Sequence, residues 1–436
     1  MAIATKTSGK ILHNSYWYGL EQIIETVVFL GTSIAVARYL GPTKLGYFAY
    51  INFFVIIITR TSGNGLASAT RKYMSEFLAL DSPGTAHAIY KLAYGYQLLG
   101  TVVIASIGLT GVALFGEHGY RAMSAILIVS IIPGVMSWVP AQANQAFEDV
   151  SNNTRSALGY IFVYAIVIVL TLHFHWDLIG VASATLVGRT VEVVLRTIPL
   201  HAKLRTLPLE SLTAETVGRI RHYCFQAIGI QLLMSVVWDR SELIFLRWFS
   251  GLEQIAFYSV SFTFANNLLL VPRTLGNATG ISLMVEANRD PDRVDSIVKN
   301  ACRYLLLVAI PVHLGAAAIT KAAIGAAYGP RYAPAVPVLM IAAILSVPRA
   351  FQELSEVLMR AADRQKQLLI WLSITGGVNI VLDALLIPHY GAVGAAWGNG
   401  LSQSFGIVVV WRQARRFYTF SFPVRSAIRL LAAGVA

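Results

Sequence analysis

Apolar stretches of about 20 residues recur from one end of the chain to the other, separated by short polar or Gly/Pro breaks. Each is long enough to cross a hydrocarbon layer about 30 Å thick as a helix. The pattern predicts twelve spans. Six fall at 16–38, 44–66, 90–115, 121–143, 157–176 and 178–200. Six more fall at 222–248, 254–276, 300–323, 334–358, 367–388 and 391–411. Short alternating segments of the kind that build a membrane β-barrel do not appear. Two stretches, "LASATRKYMSEFLAL" (66–80) and "LTAETVGRIRHY" (212–223), read as amphipathic helices lying at the membrane surface. The last stretch, "VRSAIRLLAAGVA" (424–436), is apolar but too short to cross. It reads either as a surface helix or as the start of a truncated thirteenth span.

Composition agrees. The 436 residues are 56% hydrophobic and only 13% charged, about half the charge of an ordinary soluble protein. The net charge of +12 would fit nucleic acid, but its placement argues for a membrane instead. Of the 34 Lys and Arg residues, 22 fall on the side that carries the N-terminus and the central linker, 6 on the other, and 6 inside apolar segments. Such a bias puts the N-terminus in the cytoplasm. The segment before the first span has basic residues but no small-residue cleavage site, so it reads as a cytoplasmic tail leading into a retained span. Cys224 and Cys302 have no metal-ligand spacing and read as packing residues.

The two halves resemble each other. "VARYLGPTKLGYFAY" (36–50) aligns with "FLRWFSGLEQIAFYSV" (245–260) with one inserted residue, and "RTSGN" (60–64) with "RTLGN" (273–277). "HWDLIGVASATLVG" (175–188) aligns with "HYGAVGAAWGNGLS" (389–402). The order and the near-constant shift of 209 to 214 positions argue against chance. Six spans per copy is an even number, so both copies insert the same way, as parallel repeats. The expected fold is an all-α polytopic membrane protein. Residues 1–200 form one six-helix bundle, 201–221 a cytoplasmic linker, 222–411 a second bundle, and 412–436 a cytoplasmic segment with the start of a further apolar helix.

Two motifs carry a family resemblance. "DRSELIFLRWFSGLEQIAFYSVS" (239–261) resembles a D-R…L…F-x-G…Y-S pattern of polysaccharide-exporting flippases. "NIVLDALLIPHYGAVGAAWGNGLSQ" (379–403) resembles their N-x-x-L-x-x-x-L-I-P-x-x-G-x-x-G-A-A signature, with Asp383 where Asn is common. The chain is thereby similar to the lipid-linked oligosaccharide branch of the multidrug/oligosaccharidyl-lipid/polysaccharide exporter superfamily. The resemblance implies two six-helix bundles working by alternating access in a bacterial inner membrane. It also implies an undecaprenyl-diphosphate-linked oligosaccharide as substrate, for polysaccharide or O-antigen biosynthesis, with membrane lipids and polysaccharide polymerase machinery as partners. No cofactor and no nucleic acid partner are implied.

Charges inside the spans are the candidate site. Even the mildest scale gives about 2.5–3.5 kcal/mol for a charge at membrane depth, so such residues face a cavity or a partner. The arginines are Arg60, Arg189, Arg240, Arg273 and Arg349, all candidates for a substrate diphosphate because a guanidinium grips two oxygens at once. The acids are Glu21, Glu25, Glu192, Asp239, Glu242, Glu353, Glu356 and Asp383. Glu21 and Glu25 are one turn apart and level with Arg60, which predicts an ion pair and a proton or sodium coupling site; Asp239 is a third coupling candidate. The aligned second-half positions, Ile230 and Met234, carry no charge, so Arg273 is the better free anion contact. Arg189, Glu192 and Arg196 form one stripe on the sixth span and Arg349, Glu353 and Glu356 another on the tenth. Trp238 and Tyr258 are candidates to stack sugar rings. Pro133, Pro140, Pro272, Pro348 and the Gly63/Gly65 pair are candidate hinges.

His173, His175 and Asp177 offer at most three ligands at a turn, so no metal site is expected there. No nucleotide-binding loop, catalytic triad or glycosyltransferase acid pair appears, and the chain reads as no enzyme. Short outer loops argue against a membrane-embedded polymerase or ligase of polysaccharide assembly. The remaining alternative is a cation-coupled multidrug antiporter on the same fold.

Overall fold

The computed structural model describes residues 2–238, 241–290, 293–423 and 429. Asp239, Arg240 and the expected thirteenth apolar stretch, apart from Arg429, lie outside the described residues. Every regular element described is helical. The chain divides into two compact units, Met1–Leu40 with Ile51–Ser235, and Gly41–Tyr50 with Val236–Ala436.

The first stretch of chain is α1 (Ala2–Ala79), α2 (Pro83–Phe115), α3 (Arg121–Val129), α4 (Ile131–Met136) and α5 (Trp138–Ala146). It continues as α6 (Val150–Phe174), α7 (Asp177–Arg205) and α8 (Ala214–Trp238). The second stretch is α9 (Glu242–Phe249), α10 (Leu252–Leu268), α11 (Leu270–Arg289) and α12 (Arg293–Ala318). It ends with α13 (Thr320–Tyr328), α14 (Ala335–Leu345), α15 (Gln352–Ala361) and α16 (Gln365–Ala414). Among the described residues eight helical stretches are long and apolar enough to cross a membrane, or nine if the bent pair α10–α11 is one span. Two of them are double length. α1 is broken at Gly41 (φ 75°, ψ 173°), and α16 at Gly391 (φ 55°, ψ −131°). Each arm on either side of these breaks has the 20 or so residues a crossing needs.

Proline sets most of the other breaks. It lacks an N–H and clashes with the carbonyl four residues back. Pro133 and Pro140 follow the interruptions at Ser130 and Ser137 by three residues, and Pro272 follows the 43° bend at Leu269 in the same way. Pro348 opens a 3₁₀ turn, Pro348–Phe351, between α14 and α15. The Gly63/Gly65 pair does not bend α1. A methyl on Gly63 would sit 2.9 Å from the Trp138 ring and one on Gly65 2.6 Å from Ile228, so these glycines admit close helix packing. Gly276, in the repeated phrase, meets Glu353 of α15 at 2.9 Å in the same sense.

Two expected surface helices are not separate. Residues 66–79 continue α1 without a break, and the amphipathic linker segment runs on into α8 from Ala214. Neither junction contains a proline to stop the helix. Residues 41–50 belong with the second unit because Gly46 packs on the backbone of Leu252, where a Cβ would come within 1.8 Å of its carbonyl oxygen. Thr43 Oγ1 also donates to Glu253 Oε1 at 3.0 Å.

Large apolar side chains point outward along the spans; Ile107 is 67% exposed and Phe115 86%. In water such faces would associate, whereas in lipid they are the expected surface. The protein is a multi-pass, all-helical membrane protein. Polar and aromatic groups cap one end of the first unit. There Arg219 pairs with Glu76 at 2.8 Å and Tyr73 donates to the Arg219 carbonyl at 3.2 Å. Tyr90 bonds His201 at 2.8 Å above a core that includes Met74, Ile89 and Leu200. Cys224 and Cys302 are buried and unbridged.

Candidate functional site

In the first unit the buried charges close on one another. Glu192 of α7 takes Arg189 at 2.7 Å on one carboxylate oxygen and Arg196 at 2.9 Å on the other. Arg196 then donates to Ser156 Oγ at 2.9 Å, to the carbonyl of Ser137 at 3.3 Å and to Ser137 Oγ. Arg189 lies over the Tyr160 ring at 4.2 Å. The helical spacing of three and four residues places all three charges on one face, and α6 supplies the hydroxyl and ring that finish the network.

Glu21 and Glu25 face this ladder. The charges acting on Glu21 come from Arg196, Glu192 and Glu25, and those on Glu25 from Arg189 and Glu192. Among the described residues no ion pair joins these carboxylates to Arg60; the arginines that act on them come from α7. Gln22 Nε2 donates to Glu25 Oε2 at 3.2 Å. Arg60 is exposed.

The second unit is different. Glu242 opens α9 and is 1% exposed, while Asp383, in the first arm of α16, is fully buried. Asn379 Nδ2 lies 3.3 Å from Glu242 Oε1 and 3.0 Å from Asp383 Oδ2, so one amide bridges two carboxylates. Asn399, in the second arm of α16, donates to Glu242 Oε1 at 2.6 Å, and Gln403 donates to Asn399 Oδ1 at 2.9 Å. Ser402 donates to Asn379 Oδ1 at 2.8 Å, which orients that amide toward the acids. Glu242 Oε2 and Asp383 Oδ1 have no hydrogen-bond partner among the described residues. Gly398 makes the room: a Cβ there would lie 2.7 Å from Asp383 Oδ1. Two buried carboxylates with free oxygens have the chemistry to hold a proton or small monovalent cation, because like charges at low dielectric are costly until one is neutralised.

Arg349 lies beyond Asn399. An internal cavity of about 10 Å³, room for about one water, is lined by both residues together with Tyr258, Phe262 and Ser346. The Arg349 guanidinium is 5.8 Å from the Phe262 ring, and its Nε has no partner. The expected stripe of Arg349 with Glu353 and Glu356 does not form. The 3₁₀ turn advances about 120° per residue instead of 100°, turning Arg349 away, and the two acids pair with Arg360 at 3.9 and 3.2 Å. Arg273 is exposed on α11 and its side chain makes no hydrogen bond or ion pair among the described residues; Glu353 is the acid that acts on it. Tyr258, expected to stack sugars, is 1% exposed and packs on Phe262 at 5.6 Å, so it lines the core instead. Trp238's side chain lies outside the described residues, as do Asp239 and Arg240.

The charges therefore sort into a closed ladder, an open carboxylate pair and exposed arginines, an arrangement suited to binding ions and anions. Residues 35–337 match the family described as polysaccharide biosynthesis protein, well over half of the chain. The chain belongs to that family. The fold of this polysaccharide biosynthesis protein is similar to that of a lipid II flippase, MurJ, in an inward closed conformation, with TM-score 0.73, 13% identity, and 96% of this chain and 90% of that one covered. It is similar also to an inward-facing multidrug resistance MATE transporter of the MOP superfamily, with TM-score 0.73, 16% identity and coverage of 90% and 94%. An outward-facing MATE transporter gives TM-score 0.64 at 17% identity, with coverage of 94% and 95%. A comparison with curated proteins finds no match. The family is that of polysaccharide biosynthesis proteins, and the fold is one shared with these solved flippase and transporter structures.

Proposed function

We propose that this polysaccharide biosynthesis protein is a non-catalytic flippase. It moves undecaprenyl-diphosphate-linked oligosaccharide from the cytoplasmic to the periplasmic leaflet of a bacterial inner membrane by alternating access. Its N-terminus lies in the cytoplasm, where basic residues concentrate, and the polysaccharide polymerase takes up its product. The observation that carries the reading is the buried pair Glu242 and Asp383, with two unpartnered carboxylate oxygens, in a chain of this family. A proton or sodium ion entering that pair supplies the drive for the conformational cycle.

The diphosphate contacts begin with Arg273, exposed and without a bonded partner among the described residues, and continue to Arg349. Arg60 is exposed as well. Arg189 contributes less, since Glu192 and Tyr160 already hold it, and Arg240 joins the set on its motif alone. Glu21 and Glu25 form a secondary ion site, weaker because two arginines act on them; Asp239 is retained from its motif.

Complementation tests the reading. The chain restores surface glycan to cells lacking their own lipid-linked oligosaccharide flippase. Failure to do so, with a drop in dye accumulation driven by a cation gradient, would favour the multidrug antiporter instead.

A further inference from the structure

Arg349 occupies a place that neither substrate binding nor cation binding alone explains. Two oppositely charged groups of the second unit act on it. One is Glu242, reached through Asn399, which lines the Arg349 cavity and donates to Glu242 Oε1 at 2.6 Å. The other is Arg273 of α11, exposed and cationic. The titratable groups whose charge acts on or with Arg349 are Glu242 from α9, Tyr258 from α10, Arg273 from α11 and His313 from α12. His313 is fully buried with Nδ1 donating to the Ala309 carbonyl at 2.8 Å, so it adds no acceptor charge. Glu242 is thus the one acid among these neighbours.

We propose that Arg349 couples cation to substrate: it is held toward the carboxylate pair while the pair is empty and released to an anionic diphosphate when a cation fills the pair. This rests on the reading of Glu242 and Asp383 as the ion site. The electrostatics follow from charge balance. With both carboxylates ionised, the guanidinium is a positive charge acting on Glu242, and its unpartnered Nε, beside a cavity with room for about one water, leaves it without a fixed hydrogen-bond partner. A cation in the pair removes that attraction, and repulsion from Arg273 turns the guanidinium toward any anion that Arg273 has begun to bind. Two arginines then share one diphosphate, whose four or more oxygens suit two forks. Linkage makes the effect mutual: the anion tightens the cation by the same factor that the cation tightens the anion.

The test uses the purified full-length protein, with thermal stabilisation read at increasing sodium and, in sodium-free buffer, at falling pH. Farnesyl diphosphate serves as the anionic probe. In the unaltered protein the probe lowers the sodium concentration for half-maximal stabilisation, or raises the pH of half-maximal stabilisation, by about fivefold to tenfold in cation activity. Whichever titration responds identifies the cation. Arg349→Gln binds the cation about tenfold tighter without probe, because the competing positive charge is gone, and the probe no longer shifts the midpoint. Arg349→Lys keeps the shift in the same direction. An Arg349→Gln midpoint equal to the unaltered one, with the probe shift intact, overturns the coupling role. Glu242→Gln separates the two ideas: loss of the cation response there upholds the ion site whatever Arg349 does. A cation response that survives Glu242→Gln removes the ion site and this inference with it.

Discussion

In the first unit each oxygen of the Glu192 carboxylate carries an arginine, whereas in the second unit one oxygen of Glu242 takes two amides and the other takes nothing. Both acids are almost completely buried. The first network is satisfied and fixes helices against one another; the second is short of positive charge and invites a cation. A buried ion pair is costly to open, because removal of one partner strands the other in low dielectric. A buried acid held only by amides is different: neutralising it relieves the structure. The comparison therefore assigns stability to the first network and switching to the second.

The largest effect is expected from Arg196→Ala. It leaves Glu192 with Arg189 alone and takes the partner from Ser137 Oγ, for a loss of about 3–5 kcal/mol, seen as a lower unfolding temperature in detergent. A small effect there would show that water enters the ladder and would blur the contrast. Next is Gly63→Ala, whose Cβ meets the Trp138 ring at 2.9 Å; overpacking of this kind costs about 1–3 kcal/mol, and the same melt reads it. Glu242→Gln moves the other way, stabilising by about 1–2 kcal/mol in the absence of added cation, since an amide ends the unpaired charge. A destabilised Glu242→Gln protein would mean that the second network is as closed as the first. Arg273→Ala changes stability least, within about 0.5 kcal/mol, yet lowers the flipping rate at least tenfold when assayed with a fluorescent polyprenyl-diphosphate sugar.

The sequence carried the long apolar helices because hydrophobic length is a local signal, with eight or nine such stretches among the described residues against the twelve expected, and Pro133, Pro140, Pro272 and Pro348 marked their breaks because proline acts within four residues. It carried less of the site. The Arg189, Glu192 and Arg196 ladder was legible from spacing on one helix. The same reasoning misplaced Arg349, since nothing local reveals that the helix tightens to a 3₁₀ turn there. Glu242 and Asp383 were both visible as intramembrane acids, but their meeting across 141 positions depends on how α9 packs on α16. The repeated "RTSGN" and "RTLGN" drew attention to arginine, while the structure gives the shared packing role to the glycines Gly63 and Gly276. Two pairs of positions aligned between the halves also share positive φ: Gly41 with Gly251, and Asp177 with Gly391.

The central claim, that the second unit's open carboxylates draw the cation that drives flipping, meets its most direct test in proteoliposomes. Flipping of the fluorescent polyprenyl-diphosphate sugar is timed with and without an imposed sodium or proton gradient. The unaltered protein and Glu21→Gln respond to the gradient, and Glu242→Gln and Asp383→Asn flip at a rate the gradient no longer changes. An unchanged gradient response in both Glu242→Gln and Asp383→Asn, with loss of response in Glu21→Gln, would contradict the account and move the ion site to the first unit.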